Sequence, residues 1–117
     1  MKLDEFFRCV GGDYGEAKAR FQNDERIVRF LNMVPGDDSM QNLTNAMNTG
    51  DTTTAFRAVH TLKGVALNLG FGALAAVSSV MTEALRGSDT LPADPELYAA
   101  VRREYGKVRD ALEQLEV

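Results

Sequence analysis

The sequence of 117 residues is poor in several residue types, and each shortage excludes a kind of structure or site. Cys9 is the only cysteine, so no disulfide can form within the chain. One cysteine and one histidine also provide too few ligands for a zinc site, which takes four in structural centres and three in catalytic ones. Tryptophan is absent and there are only three prolines, a composition that suits helices better than a sandwich of short strands.

Basic residues and long uninterrupted apolar runs are scarce as well. Thirteen Lys and Arg residues against seventeen Asp and Glu residues give a net charge of −4, whereas nucleic-acid binders normally carry a basic face. Residues 64–82 contain no charged side chain, but glycine, asparagine and serine interrupt them, and a membrane-spanning helix needs about 20 mainly apolar residues. The sequence therefore predicts neither nucleic-acid binding nor membrane insertion.

The clearest helix pattern lies in the middle of the chain. Apolar residues recur there at intervals of three and four between residues 55 and 69. Asp51 precedes this pattern as a capping residue, and Gly70 follows it, where glycine commonly ends a helix. A helix over about residues 52–69 is therefore predicted, and it carries the only histidine of the chain, His60.

Further helix patterns lie on both sides of this segment. Asp24 is predicted to cap a helix whose apolar stripe reaches Val34, while Asp94 and Pro95 mark the start of the last helix. Short connections between amphipathic helices favour antiparallel neighbours. We therefore predict an all-α fold over residues 1–117, a single domain built as an antiparallel up-and-down four-helix bundle with an additional N-terminal helical region.

His60 is predicted to point away from the core. At about 100° per residue, the centre of the apolar stripe lies roughly 140° around the helix from His60. Lys63 and Gly64 lie on either side of the histidine in the next turn, where i+3 and i+4 neighbours meet. The lysine could reach an anion attached to the ring. The glycine costs about 1 kcal/mol relative to alanine in a helix interior, so its presence suggests a need for room.

The neighbours of His60 in the sequence are cationic and apolar. No Asp or Glu occurs from residue 52 to residue 82, whereas Arg57 and Lys63 lie in that segment. Phe56 and Leu67 lie within about 40° of His60 on the helix and, with Arg57, form a predicted rim for docking a partner. These patterns indicate an exposed nucleophilic or basic histidine, with an ordinary surface histidine as the alternative.

Residues 60–70, HTLKGVALNLG, closely resemble the motif of the histidine-containing phosphotransfer (HPt) domain of bacterial multistep phosphorelays. Val65 departs from that motif, because a small residue is more usual there. The resemblance implies that His60 accepts a phosphoryl group, that Lys63 supports it and that Gly64 leaves space for an incoming receiver domain. It implies response-regulator receiver domains and a sensor or hybrid histidine kinase as cytoplasmic partners. No cofactor is expected on this chain, since the receiver would bring the Mg²⁺.

Three functions follow for His60. In the leading hypothesis the chain is a phosphocarrier without a catalytic centre of its own, which takes the phosphoryl group from a phospho-aspartyl receiver and passes it to another receiver. In the second, the bundle is an interaction module that docks a receiver or kinase and is never phosphorylated. The third is a small hydrolase with His60 as general base. It is disfavoured because the sequence places no Ser, Cys or Asp to complete a catalytic group.

Overall fold

The computed structural model describes residues 1–116, which contain α-helices, one 3-10 turn at Val34–Gly36 and no strand. Within this part of the chain, no helix is both long and apolar enough to cross a bilayer. The helices are α1 (Leu3–Cys9), α2 (Tyr14–Phe21), α3 (Asp24–Leu31), α4 (Ser39–Thr49), α5 (Thr52–Leu69), α6 (Gly72–Leu85) and α7 (Pro95–Glu113).

Helices α4 to α7 form the antiparallel up-and-down bundle that the sequence predicts. Helix α5 packs against α4 and α6, and α7 packs against α6. A hydrogen bond of 3.1 Å from the Tyr98 hydroxyl of α7 to Thr44 Oγ1 of α4 links the first and last helices of the bundle. The bundle follows from short connections, because each one reverses the chain direction and places the next helix beside the last.

The bounds of α5 agree with the prediction. Asp51 is the N-cap, and its carboxylate accepts hydrogen bonds from the Thr54 backbone N–H at 3.1 Å and the Thr54 hydroxyl at 2.7 Å. Gly70 ends the helix with φ of 83°, a left-handed conformation that glycine adopts without steric cost. The buried face of α5 comprises Ala55, Ala58, Val59, Leu62, Ala66 and Leu69.

Two details of α3 differ from the prediction. The N-cap is Asn23 and not Asp24, because the Asn23 side-chain oxygen accepts the backbone N–H of Arg26 at 2.9 Å. The α-helix also ends at Leu31, so Val34 lies in the 3-10 turn, where it is still buried. The following residue is proline, which disfavours helical backbone in the residue before it. The apolar spacing therefore identified a buried residue but not its secondary structure.

The N-terminal helices fix the end of the bundle where α5 meets α6. The carbonyl of Val10 accepts the backbone N–H of Ala73 at 3.1 Å. One guanidinium nitrogen of Arg20 in α2 donates to the carbonyls of Leu67 and Asn68, at 2.8 and 2.6 Å. A helix leaves its last carbonyls without backbone partners, so Arg20 satisfies two acceptors in the final turn of α5. The added N-terminal region thus stabilises the helix that carries His60.

Candidate functional site

His60 lies on the exposed face of α5, as the helical wheel predicts. Its ring stacks on the ring of Phe56 in the preceding turn, with centroids 5.9 Å apart and planes 16° from parallel. Phe56 is half-buried and therefore provides a fixed apolar base for the imidazole. This contact orients the ring while His60 stays accessible to a second molecule.

The two residues predicted to flank His60 are on the same surface of the molecule. Lys63 is half-buried, and Gly64 is exposed. A Cβ built on Gly64 would have no heavy atom within 4 Å apart from its own helix backbone. The absence of a side chain at Gly64 therefore serves no close helix contact within the described residues. It leaves open space one turn beyond the histidine.

Glu83 and Arg86, at the end of α6, are site neighbours that the sequence analysis missed. Arg86 donates from Nε and a terminal nitrogen to the two carboxylate oxygens of Glu83, at 3.1 Å each. The Arg86 Cζ atom also lies 5.2 Å from the centroid of the Phe56 ring, which contacts His60. The chain fold thus places an ion pair of α6 beside the exposed face of α5.

The charge of Glu83 responds to the same neighbours. Its hydrogen bond with Arg86 and the charge of that guanidinium hold the pKa of the Glu83 carboxyl below its usual value of 4.5. Lys63 and His60 lower this pKa further, by smaller amounts. The sequence around His60 contains no carboxylate, but the folded site has one nearby. The acid-free segment ends one residue before Glu83, and antiparallel α6 brings this residue back to α5.

The predicted docking rim is distributed unevenly over the surface. Arg57 is exposed, and Leu67 retains 55% of its accessible surface. Phe56 differs from both, because it is half-buried and its ring neighbours the histidine ring and the Arg86 guanidinium. Two rim residues are thus open to a partner, while Phe56 mainly supports His60.

A second exposed apolar element lies beside α5 and was not predicted. Phe30 at the end of α3 is 37% exposed, and Met33 in the following turn is 63% exposed. A groove of about 600 Å³ separates them from Val65 and Asn68 of α5. The position of Phe30 and Met33 depends on how α3 packs against the bundle, and the local sequence pattern does not predict that packing.

Residues 1–116 bring together no group of three or more His, Cys, Asp or Glu side chains that could hold a metal ion. The expectation that Mg²⁺ belongs to a partner and not to this chain stays a prediction.

Comparison with known protein families identifies the class of this chain. The family model of the Hpt domain matches residues 30–116, so the chain belongs to the Hpt domain family. The match includes α4 to α7 but leaves out α1 and α2. No curated protein and no solved structure matches the chain significantly. Membership in this family implies phosphotransfer in two-component signalling, in which Hpt domains are phosphocarriers rather than catalysts.

Proposed function

We propose that this chain is the phosphocarrier of a phosphorelay, with His60 as the phosphoacceptor. The observation that carries the proposal is an exposed imidazole, oriented by Phe56, beside a lysine and an open position at Gly64. A phospho-aspartyl receiver domain would donate the phosphoryl group, and a second receiver would accept it. We further propose that the exchange takes place in the cytoplasm, downstream of a sensor or hybrid histidine kinase.

The transfer needs only a nucleophile, positive charge and correct positioning. A neutral imidazole has one ring nitrogen with a free lone pair. That nitrogen attacks phosphorus, the phosphorus–oxygen bond to the aspartate breaks, and the aspartate leaves as a carboxylate. The other ring nitrogen keeps its proton as the nitrogen–phosphorus bond forms. Negative charge is spread over the phosphoryl oxygens in the loose transition state, and the Lys63 ammonium would stabilise that charge.

The receiver would dock on the exposed face of α5 and deliver its aspartate over Gly64. Arg57 and Leu67 contribute a cationic and an apolar contact there. Phe30 and Met33 extend the apolar surface across the neighbouring groove. A receiver carries the metal-binding carboxylates and the Mg²⁺ itself, so this chain supplies the acceptor and the docking surface and has no catalytic centre of its own.

Phosphoryl transfer from a labelled phospho-receiver tests this function. The wild-type chain should acquire label as an acid-labile, alkali-stable adduct, and the His60→Gln variant should acquire none. Both proteins should have the same circular dichroism spectrum, because residue 60 is exposed. Binding of the receiver without any uptake of label would instead favour the second hypothesis, an interaction module that is never phosphorylated.

A further inference from the structure

The Glu83–Arg86 pair lies against Phe56, the residue on which the His60 ring stacks. Phe56 neighbours both groups, with its ring centroid 5.9 Å from the imidazole centroid and 5.2 Å from the Arg86 Cζ. Glu83 is close enough to His60 and Lys63 for both to act on its ionisation. The pair and the proposed phosphoacceptor therefore belong to one electrostatic cluster.

The net charge of this cluster changes sign when His60 is phosphorylated, because one carboxylate and two cations sum to +1 before the adduct forms. Glu83 neutralises Arg86 through two hydrogen bonds of 3.1 Å, and Lys63 lies close by. A phosphoryl group brings between one and two additional negative charges, about −1.5 to −2 on a phosphorylated hydroxyl side chain. It would repel Glu83 and attract both cations. The cluster thus favours a rearrangement once the adduct forms.

Arg86 is suited to this rearrangement. The side chains of Glu83 and Arg86 are 60% and 54% exposed, and exposed ion pairs contribute little net stability because water and salt screen them. Breaking the pair therefore costs little. A guanidinium also matches phosphate with two parallel N–H donors, and each such bond to an anion is stronger than one between neutral groups.

We propose that Arg86 exchanges Glu83 for the phosphoryl group on His60 and acts with Lys63 as a second cation that stabilises the adduct. Glu83 has the opposite effect: it holds Arg86 in the unmodified chain and disfavours the phosphorylated one. The pair would thereby set the equilibrium constant for phosphoryl transfer between the donor and His60. This inference rests on the proposed function of His60 as the phosphoacceptor.

Phosphorylation by phosphoramidate tests the proposal without a partner protein. The imidazole nitrogen attacks phosphorus, the phosphorus–nitrogen bond of the donor breaks, and ammonia leaves after taking up a proton. At a fixed ratio of donor to ammonia, the amount of phosphohistidine should fall about three- to tenfold in Arg86→Gln and rise by a similar factor in Glu83→Gln. The phosphohistidine signal in ³¹P NMR measures both changes.

The Glu96–Arg103 pair on α7 provides matched controls. It is another exposed Glu–Arg pair, with a contact of 2.8 Å and side-chain exposures of 63% and 53%. Helix α5 packs mainly against α4 and α6, so this pair lies on a helix that is not a main neighbour of the His60 helix. Glu96→Gln and Arg103→Gln change the net charge equally and should leave the phosphohistidine level unchanged.

NMR of the arginine Nε–H groups tests the exchange of partners itself. On phosphorylation of the wild-type chain, the Arg86 signal should shift and the Arg103 signal should stay in place. A phosphohistidine level in Arg86→Gln equal to that in Arg103→Gln, or an Arg86 signal that does not move, would overturn the inference and leave the phosphocarrier function standing. A wild-type chain that phosphoramidate and phospho-receiver both fail to label would overturn both.

Discussion

Replacing Gly64 by alanine is expected to stabilise the folded chain and, at the same time, to slow phosphoryl transfer. Gly64 lies inside α5, and a Cβ built on it meets no other heavy atom within 4 Å apart from its own helix backbone. The new methyl group therefore fits the isolated chain without strain. It would occupy the space through which a receiver is proposed to approach His60.

The size of the stability gain follows from helix propensity alone. Alanine restricts the unfolded chain more than glycine does, and the exchange at an unstrained helical position is worth about 0.5–1 kcal/mol. For a domain of this length, that corresponds to a rise in melting temperature of roughly 2–5 °C. Transfer should slow by about tenfold or more, because displacing reacting groups by about 1 Å can cost up to 10²-fold in rate.

Gly106 in α7 offers a matched control for this experiment. It too lies inside a helix, and a Cβ built on it has no heavy atom within 4 Å apart from its own helix backbone. Gly64→Ala and Gly106→Ala should raise the melting temperature similarly, as thermal unfolding followed by circular dichroism would show. Only Gly64→Ala should slow label transfer from a phospho-receiver. Equal transfer rates in both variants would refute the idea that Gly64 gives the receiver access.

Two further changes test the charge and capping arguments. Lys63→Ala should slow phosphoryl transfer by about 10-fold or more while the chain stays folded, because it removes a cation that stabilises the phosphoryl oxygens. A wild-type transfer rate in a quench-flow assay would rule out this role of Lys63. Asp51→Asn should keep the helix cap, but the contribution of that cap to the free energy of unfolding should no longer depend on pH. Urea unfolding at neutral and acidic pH measures this. Hydrogen bonds from the Thr54 side chain, and then from its backbone, lower the pKa of Asp51 below its usual value of 3.8. At acidic pH the unfolded chain therefore binds more protons than the folded chain does. The contribution of the Asp51 carboxylate to stability is lost as the pH falls through its folded-state pKa. An equally steep loss of stability in Asp51→Asn at acidic pH would contradict that assignment.

Local sequence patterns were sufficient to predict the elements that local interactions form. Asp51 and Gly70 bound α5 as expected, because an N-cap hydrogen bond and a left-handed glycine involve residues only a few positions apart. The outward position of His60 also follows from helical periodicity, which needs no information about other helices. Errors arose where a local preference has near equivalents. Asn23 caps α3 as readily as Asp24 could have done one residue later.

The sequence by itself determined the helices, the bundle and the histidine with its neighbours in the next turn, since these depend on spacing along the chain. The tertiary structure decided which distant residues join them. It brought the Glu83–Arg86 pair at the end of α6 to Phe56, on which His60 stacks, and placed Arg20 on the carbonyls at the end of α5. These contacts depend on how antiparallel helices align and which faces they bury, and spacing within one helix does not encode that alignment.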